Sequence, residues 1–297
     1  MEDITGHIST LKKVVAQSNV TFNGHKNIQS LWNEKIEGTV KSATLLALKN
    51  THQTIPGCHN TAIDAIEVNF SIMDNSIEIT VIAKTVSKAP ITTQAMHGLS
   101  IAGLVIYDTY KDSFEEIEIQ KIKVTHQHGD QASYGEKFLH PIKASVIVCS
   151  DSIHAGTKKD KAGKAIIAKL EECGVGIEHY EVIADEMEDI REKAKAFSRD
   201  SQLIIYTGGT GLSVRDSTPE ALTPLLDRRI PGIEEAIRSY GQDRMPYSML
   251  SRSVAGTLGN CLVLALPGST KGASESMDAI FPHLLHVFKI FRGARHD

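Results

Sequence analysis

The chain changes hydrophobic period partway along its length. Ile66, Val68, Phe70 and Ile72 alternate with polar neighbours, and Ile77, Ile79, Val81 and Ala83 do so again. Alternation marks a strand with one buried face, and Asp74-Asn75-Ser76 between the runs predicts a hairpin turn. Apolar residues at helical spacing predict a helix over Val40 to Asn50. A longer helix is predicted over Ile91 to Tyr110, with Met96, Leu99, Gly103 and Ile106 along one side. Ile117, Ile119, Ile122 and Val124 predict a further strand with an irregularity in its alternation. A polar, glycine-containing stretch from His126 to Glu136, closed by Pro141, then predicts a break near Tyr134 to Lys143.

Beyond the break, strand and helix patterns take turns. Short apolar runs predict strands at Ala144 to Cys149, Ile177 to Ile183, Leu203 to Tyr206 and Cys261 to Leu266. Amphipathic stretches predict helices at Lys161 to Glu172, ended near Gly174, at Glu188 to Phe197, and at Ser274 to Phe291. Such alternation implies a mostly parallel sheet covered on both faces. The expectation is an α+β, ferredoxin-like domain over residues 1–133, followed by an α/β three-layer domain over residues 143–297.

Composition narrows the class without choosing a function. Of 297 residues, 41% are hydrophobic and 23% charged, as in ordinary globular protein. A net charge of −4 argues against a nucleic-acid partner. Cys58, Cys149, Cys173 and Cys261 are far apart and form no CxxC pair, which argues against disulfides and zinc. No leader-like start and no bilayer-length apolar run is evident, so a reduced cytoplasmic protein with no membrane partner is expected.

Candidate chemistry concentrates in Leu203 to Pro219, LIIYTGGTGLSVRDSTP. Gly208, Gly209 and Gly211 remove Cβ atoms around Thr210, so backbone N–H groups can approach an anion. Asp216 follows, and Thr218-Pro219 predicts a helix start with Thr218 as N-cap. A strand, a bare turn, a carboxylate and a helix N-terminus together suit a phosphate ester with a divalent metal. Polar turns also follow the other three predicted strands: Ser150-Asp151, Asp185-Glu186 and Pro267-Gly268-Ser269. In open parallel sheets ligands bind beyond the carboxyl ends of the strands, so the four turns predict one shared site. Asp185 and Asp216, on neighbouring loops, can hold Mg²⁺ together with waters and phosphate oxygens; capping is their alternative role. Asp151 and Asp160 are weaker candidates, either of which caps equally well. Ser251 and Arg252 either reach a phosphate or lie on an exposed helix face. His126 and His128 form an HxH pair that reads as a solvated loop, because no third ligand is suitably spaced.

Residues 143–293 carry a specific set of motifs in order: Ser150-Asp151, Asp160-Lys161-Ala162-Gly163, Ala184-Asp185-Glu186, the Thr207 to Gly211 turn, Arg215 to Glu220, Pro231 to Glu234, Met249 to Gly256 and Pro267-Gly268. On these residues the C-terminal half resembles the molybdopterin adenylyltransferase family of molybdenum cofactor biosynthesis. The resemblance implies a compact α/β domain, usually a trimer, that binds molybdopterin and Mg-ATP and transfers AMP to the pterin's terminal phosphate. It implies that Asp185 and Asp216 are the essential acidic pair and the metal ligands. Gly208, Gly209, Thr210 and Gly211 would cradle the pterin phosphate, and Glu234 would orient the pterin ring or serve as a first-turn helix acid. Ser150, Asp151, Ser251, Arg252, Pro267 and Gly268 complete the expected binding set. Ser269-Thr270 departs from the Ser-Pro or Asn-Pro that relatives often carry there.

The N-terminal half resembles the cyclic pyranopterin monophosphate synthase family through Asp3-Ile4-Thr5, Ile55-Pro56-Gly57-Cys58-His59, Ile66-Glu67-Val68 and the Ile101 to Asp108 run. That family acts on a triphosphate-bearing precursor and assembles as a hexamer of dimers. Three family segments differ here. Asn33-Glu34-Lys35-Ile36-Glu37-Gly38 replaces a Lys-Gly-Asp turn, and Ala89 to Gln94 replaces Gly-Val-Glu-Met-Glu. Thr125 to Asp130 replaces a loop with two lysines. Lysines suit a triphosphate. The expectation is a degenerate assembly module with Cys58, His59 and Asp108 as a vestigial site, within a homo-oligomer, trimer or hexamer.

Overall fold

The first strand is one that the hydrophobic pattern does not announce. β1 (Thr10–Asn23) turns Lys12, Val14, Ala16, Ser18, Val20 and Phe22 inward, while Leu11 is exposed on its other face. Polar residues inside and an apolar one outside obscure the period of two. The two polar residues are tolerated because each is satisfied: the Lys12 ammonium donates to the Gly129 carbonyl at 2.6 Å, and the Ser18 hydroxyl donates to the Gln120 carbonyl at 3.1 Å.

These features come from a computed structural model that describes residues 1–129, 138 and 141–293. The chain divides into two compact units, Met1–Tyr134 and Gly135–Asp297. Most of the predicted break, and Asp130 before it, lies outside the described residues.

In the first unit, α1 (Ile28–Leu31) leads into α2 (Glu34–Lys49), whose N-terminus is capped by the Asn33 side chain. α3 (Thr51–Thr54) precedes the hairpin of β2 (Ala65–Met73) and β3 (Ser76–Ser87). α4 (Thr92–Tyr110) and β4 (Glu116–His128) complete the unit. The sheet order is β2-β3-β1-β4, with antiparallel neighbours throughout. α4 packs across β1, β3 and β4, with α2 beside it. Its buried line is Ala95, Leu99, Ala102, Ile106 and Tyr110; Met96, expected on that side, is only half-buried. The slip expected in β4 is real: its register against β1 shifts at Val15/Ala16 and at Gln17/Asn19, and Lys121 there has φ 55°.

In the second unit the elements are β5 (Lys143–Cys149), α5 (Asp151–His154), α6 (Ala162–Glu172), β6 (Gly176–Ile183), α7 (Met187–Phe197), β7 (Leu203–Thr207) and α8 (Thr218–Leu222). They continue with β8 (Arg228–Arg229), α9 (Pro231–Gln242), β9 (Val254–Leu258), β10 (Cys261–Leu266), α10 (Thr270–Ile280) and α11 (Val287–Phe291). The sheet order is β6-β5-β7-β10-β9-β8. β6, β5, β7 and β10 run parallel, and β9 and β8 add an antiparallel edge that the pattern reading lacks. β7 and β10 are buried along their whole length, as a sheet covered on both faces requires. One face meets α7 and α8 through Ile190, Phe197, Ala221 and Leu222.

Two expectations need correction. The closing helix does not run from Ser274 to Phe291: α10 stops at Ile280, because Pro282 has no N–H to donate and its ring crowds the preceding turn. Thr218 is not the N-cap of α8; Ser217 holds that place, and the Thr218 hydroxyl instead donates to the Gly208 carbonyl at 3.0 Å. Among the described residues no helix is long and apolar enough to cross a membrane.

Candidate functional site

The carboxyl ends of the parallel strands deliver the predicted turns to one edge of the second unit. Gly208 and Gly209 have φ of 108° and 63°, a region costly for side chains. A Cβ on Gly208 would fall on the Cys149 carbonyl oxygen, and one on Gly268 would lie 2.9 Å from the Gly208 Cα. The turns after β5, β7 and β10 therefore touch backbone to backbone. A Cβ on Gly209 would strike the Thr218 hydroxyl and lie 3.2 Å from Asp185 Oδ1. One on Gly211 would lie 2.8 Å from Asp216 Oδ2. Asp185 and Asp216 thus flank the same bare turn, as their sequence positions predict for a shared site.

The two acids differ in their surroundings. Asp216 Oδ2 accepts the Ser213 N–H at 2.8 Å. Asp185 Oδ2 accepts the Asp151 N–H at 3.4 Å, and the Asp185 N–H donates to Asp151 Oδ1 at 3.1 Å. Asp185 Oδ1 is buried and has no hydrogen-bond partner. Burial pushes the Asp185 carboxyl above its ordinary range, and the Asp151 and Asp216 charges act in the same direction. Asp151 moves the other way, held down first by the Asp185 N–H and then by Arg215. Beneath the turn, burial pushes the Cys149 thiol up to about 12, so it is no nucleophile.

A buried carboxylate oxygen without a partner, with a second carboxylate beside the same glycine turn, fits a hard divalent cation. Among the described residues no three His, Cys, Asp or Glu side chains converge as a self-sufficient metal cage. Mg²⁺ does not require one, since it keeps waters and takes phosphate oxygens.

Other predicted site residues have different tasks. The Arg252 N–H donates to the Thr210 carbonyl at 3.1 Å, and its guanidinium donates to the Gly211 and Asp216 carbonyls at 2.8 Å each and pairs with Glu220. It braces the loop, engaging Nε and one N–H of each terminal nitrogen. Glu234 is buried, with Arg229 at 2.6 and 2.8 Å and the Ala255 N–H at 3.1 Å on its carboxylate. Those bonds engage both carboxylate oxygens. Asp160 accepts the Gly163 N–H at 2.9 Å and the Tyr180 hydroxyl at 2.7 Å, a cap for α6. Ser150 and Ser152 hydroxyls lie 3.2 Å apart. The Ser251 hydroxyl lies 3.0 Å from that of Ser253.

Sequence reasoning missed a cavity of about 240 Å³ lined by Tyr247, Ser251, Pro267, Ser269, Lys271 and Glu275. Its signal was Lys271 just beyond Pro267-Gly268, where Ser269 caps α10 by accepting the Gly272 N–H at 3.1 Å.

In the first unit, His59 Nε2 and Gln94 Oε1 are both buried without partners, and Gln94 Nε2 donates to the His59 carbonyl at 3.5 Å. Burial raises the Cys58 thiol pKa. Asp108 does not join them. It is exposed and paired with Lys111 at 2.7 Å, and about 21 Å of helix axis separates it from Gln94 at the rise of an α-helix. His126 and His128 lie exposed at the end of β4.

Known proteins align with both units. Residues 145–286 match a family described as a probable molybdopterin binding domain, and residues 1–130 match the MoaC family. A molybdenum cofactor biosynthesis bifunctional protein of Chlorobaculum tepidum is 32% identical, covering 100% of this chain and 96% of that protein. One of Synechococcus elongatus is 31% identical, covering 86% of this chain and 84% of that protein. The crystal structure of the molybdopterin biosynthesis enzyme MoaB of Thermus thermophilus shares 37% identity, covering 52% of this chain and 99% of that one with a TM-score of 0.49.

Proposed function

The chain belongs to the family of bifunctional molybdenum cofactor biosynthesis proteins, and from that premise we propose that its C-terminal unit adenylylates molybdopterin with Mg-ATP. The observation that carries this reading is Asp185 Oδ1, buried and unpartnered beside a glycine-rich turn that Asp216 also adjoins. Asp185 and Asp216 would hold Mg²⁺, which when bound neutralises phosphoryl charge. The Gly208 N–H is spent on the Leu266 carbonyl at 3.1 Å, so the donors this turn would offer a phosphate are the N–H groups of Gly209, Thr210 and Gly211. The cavity beside Pro267 offers the pterin ring an aromatic wall at Tyr247 and a cation at Lys271.

The reaction balances without a covalent enzyme intermediate. A terminal phosphate oxygen of molybdopterin forms a bond to the α-phosphorus of ATP, the bond from that phosphorus to the bridging oxygen breaks, and pyrophosphate leaves. The protein's part is positioning. Incubation of the protein with molybdopterin, ATP and Mg²⁺ should give a product of molybdopterin plus AMP by mass spectrometry, with one pyrophosphate per product. Absence of that mass from active substrate would overturn the reading. The four cysteines are all free, which suits a reduced cytoplasmic setting.

For the N-terminal unit we propose an assembly role without chemistry, since the three lysine- and glutamate-bearing segments of the family it resembles are replaced. A second reading, retained synthase activity, draws on the unpartnered His59 Nε2 and Gln94 Oε1 beside Cys58. It also draws on the word bifunctional in the relatives' names. Assay of the full chain for cyclic pyranopterin monophosphate should find none; sustained turnover would establish the second reading. Light scattering should show a trimer or hexamer that loses order when residues 1–140 are removed.

A further inference from the structure

Asp216 sits on a loop with few anchors. Leu212 and Val214 are 72% and 103% exposed, and the Ser213 N–H is spent within the loop on Asp216. Arg252 braces the loop at Gly211 and Asp216, through their carbonyls. Between those points, among the described residues, the loop reaches the rest of the unit through Arg215. Its Nε lies 3.1 Å from Asp151 Oδ2, and one terminal nitrogen lies 2.8 Å from that oxygen and 3.0 Å from Asp151 Oδ1. The same nitrogen lies 3.0 Å from Glu186 Oε1. Asp151 Oδ1 also accepts the Asp185 N–H at 3.1 Å.

The connectivity has a consequence for the acidic pair. Arg215 adjoins Asp216 in sequence, and Glu186 adjoins Asp185. One guanidinium therefore joins the two acids across the loops after β5, β6 and β7. A pair this exposed, with the arginine side chain 55% and the aspartate 48% accessible, adds little to stability. Its bidentate geometry fixes direction and distance, which stability does not measure.

We propose that Arg215 is a positioning residue that sets the separation of Asp185 and Asp216 for a divalent cation by clipping their loops together through Asp151 and Glu186. The inference rests on the adenylyl-transfer reading of this site. It differs in sign from plain electrostatics. Removing a cation from among carboxylates should tighten a divalent ion, whereas removing a clip should loosen it. Lysine keeps the charge yet cannot span both partners as a planar fork.

The test is Mn²⁺ binding to the full chain without nucleotide, read by electron paramagnetic resonance, alongside kcat and KM for AMP transfer. Arg215→Ala and Arg215→Lys should each weaken Mn²⁺ by about 10-fold, the scale of losing a group that orients a metal ligand. They should lower kcat more than they raise KM for the pterin, with thermal unfolding nearly unchanged. Asp151→Asn is the second variant, should the first fail to fold, and should weaken Mn²⁺ similarly. Mn²⁺ affinity unchanged or tighter in folded variants overturns the clip, as does a wild type that binds no Mn²⁺. A wild type that binds Mn²⁺, loses it on Arg215→Ala, and yet transfers no AMP would sink the adenylyl-transfer reading while leaving the clip standing.

Discussion

Burial above all lifts the Asp185 carboxyl above its ordinary range; the Asp151 N–H pulls against it, the Asp151 and Asp216 charges add to the rise, and Arg215 opposes it. A raised acid favours the folded state while protonated. Its contribution is complete below the unfolded pKa and disappears as pH rises through the folded one, so at neutral pH the ionised side chain is a net cost. Asp185→Asn should therefore raise the unfolding temperature at pH 7 while lowering AMP transfer by about 100-fold or more. Added Mg²⁺ should raise the unfolding temperature of the wild type and not of the variant. A variant both less stable and fully active would remove Asp185 from the site. Asp216→Asn should lose activity on the same ~100-fold scale, since an amide is a poorer ligand for a hard cation. Asp151 carries the opposite sign: its pKa is lowered, so its contribution is present above 3.8 and fades as pH falls through the folded value. At this scale the sequence located Asp185 and Asp216, which the fold brings to one glycine turn. It did not show which partners a long side chain meets. Glu234 and Arg252 look like ligand groups in a motif, but the fold had already used them on Arg229 and on backbone carbonyls.

Elements owe their ends and their close contacts to a few glycines and prolines, and these act differently by place. Gly208 sits at φ 108° with the Cys149 carbonyl where a side chain would go. Gly208→Ala should cost at least about 2 kcal/mol from backbone strain alone and disturb the turn it supports. Gly38 is exposed within α2 and has nothing within 4 Å of its missing Cβ. Gly38→Ala should stabilise by roughly 0.5–1 kcal/mol, because a helix interior favours alanine. Urea unfolding of both variants checks the contrast; equal effects would show that neither backbone conformation nor space governs them. The hairpin and the long helix were legible because their period is carried by residues that all pack the same way. β1 was not, since Lys12 and Ser18 occupy inward positions through bonds to Gly129 and Gln120, which are more than a hundred residues away in sequence.

Each unit gathers buried apolar residues of its own. One gathers Val14, Val20, Leu99 and Ile106 with their neighbours, and the other gathers Ile147, Ile190, Tyr206 and Val263. They share no residue, so each unit has its own basis for cooperative unfolding. Calorimetry should resolve two transitions, and Mg²⁺ should move one of them upward while leaving the other in place. A single transition that shifts as a whole would show the units to be thermodynamically one.

Repeated period and motif order, read from the sequence alone, determined that an α+β half precedes a mostly parallel α/β half and that a glycine turn with Asp185 and Asp216 marks one edge. These features are local, written in neighbouring residues. The tertiary structure decided the rest: the antiparallel edge of β9 and β8, the helix that ends at Ile280, the cavity by Lys271, and the separation of Asp108 from His59. Each of those depends on which distant group a side chain or strand meets. Arg215 shows the difference most plainly. Its place beside Asp216 is visible in the chain, but its hold on Asp151 and Glu186 exists only once three strands lie parallel and deliver their loops to one edge.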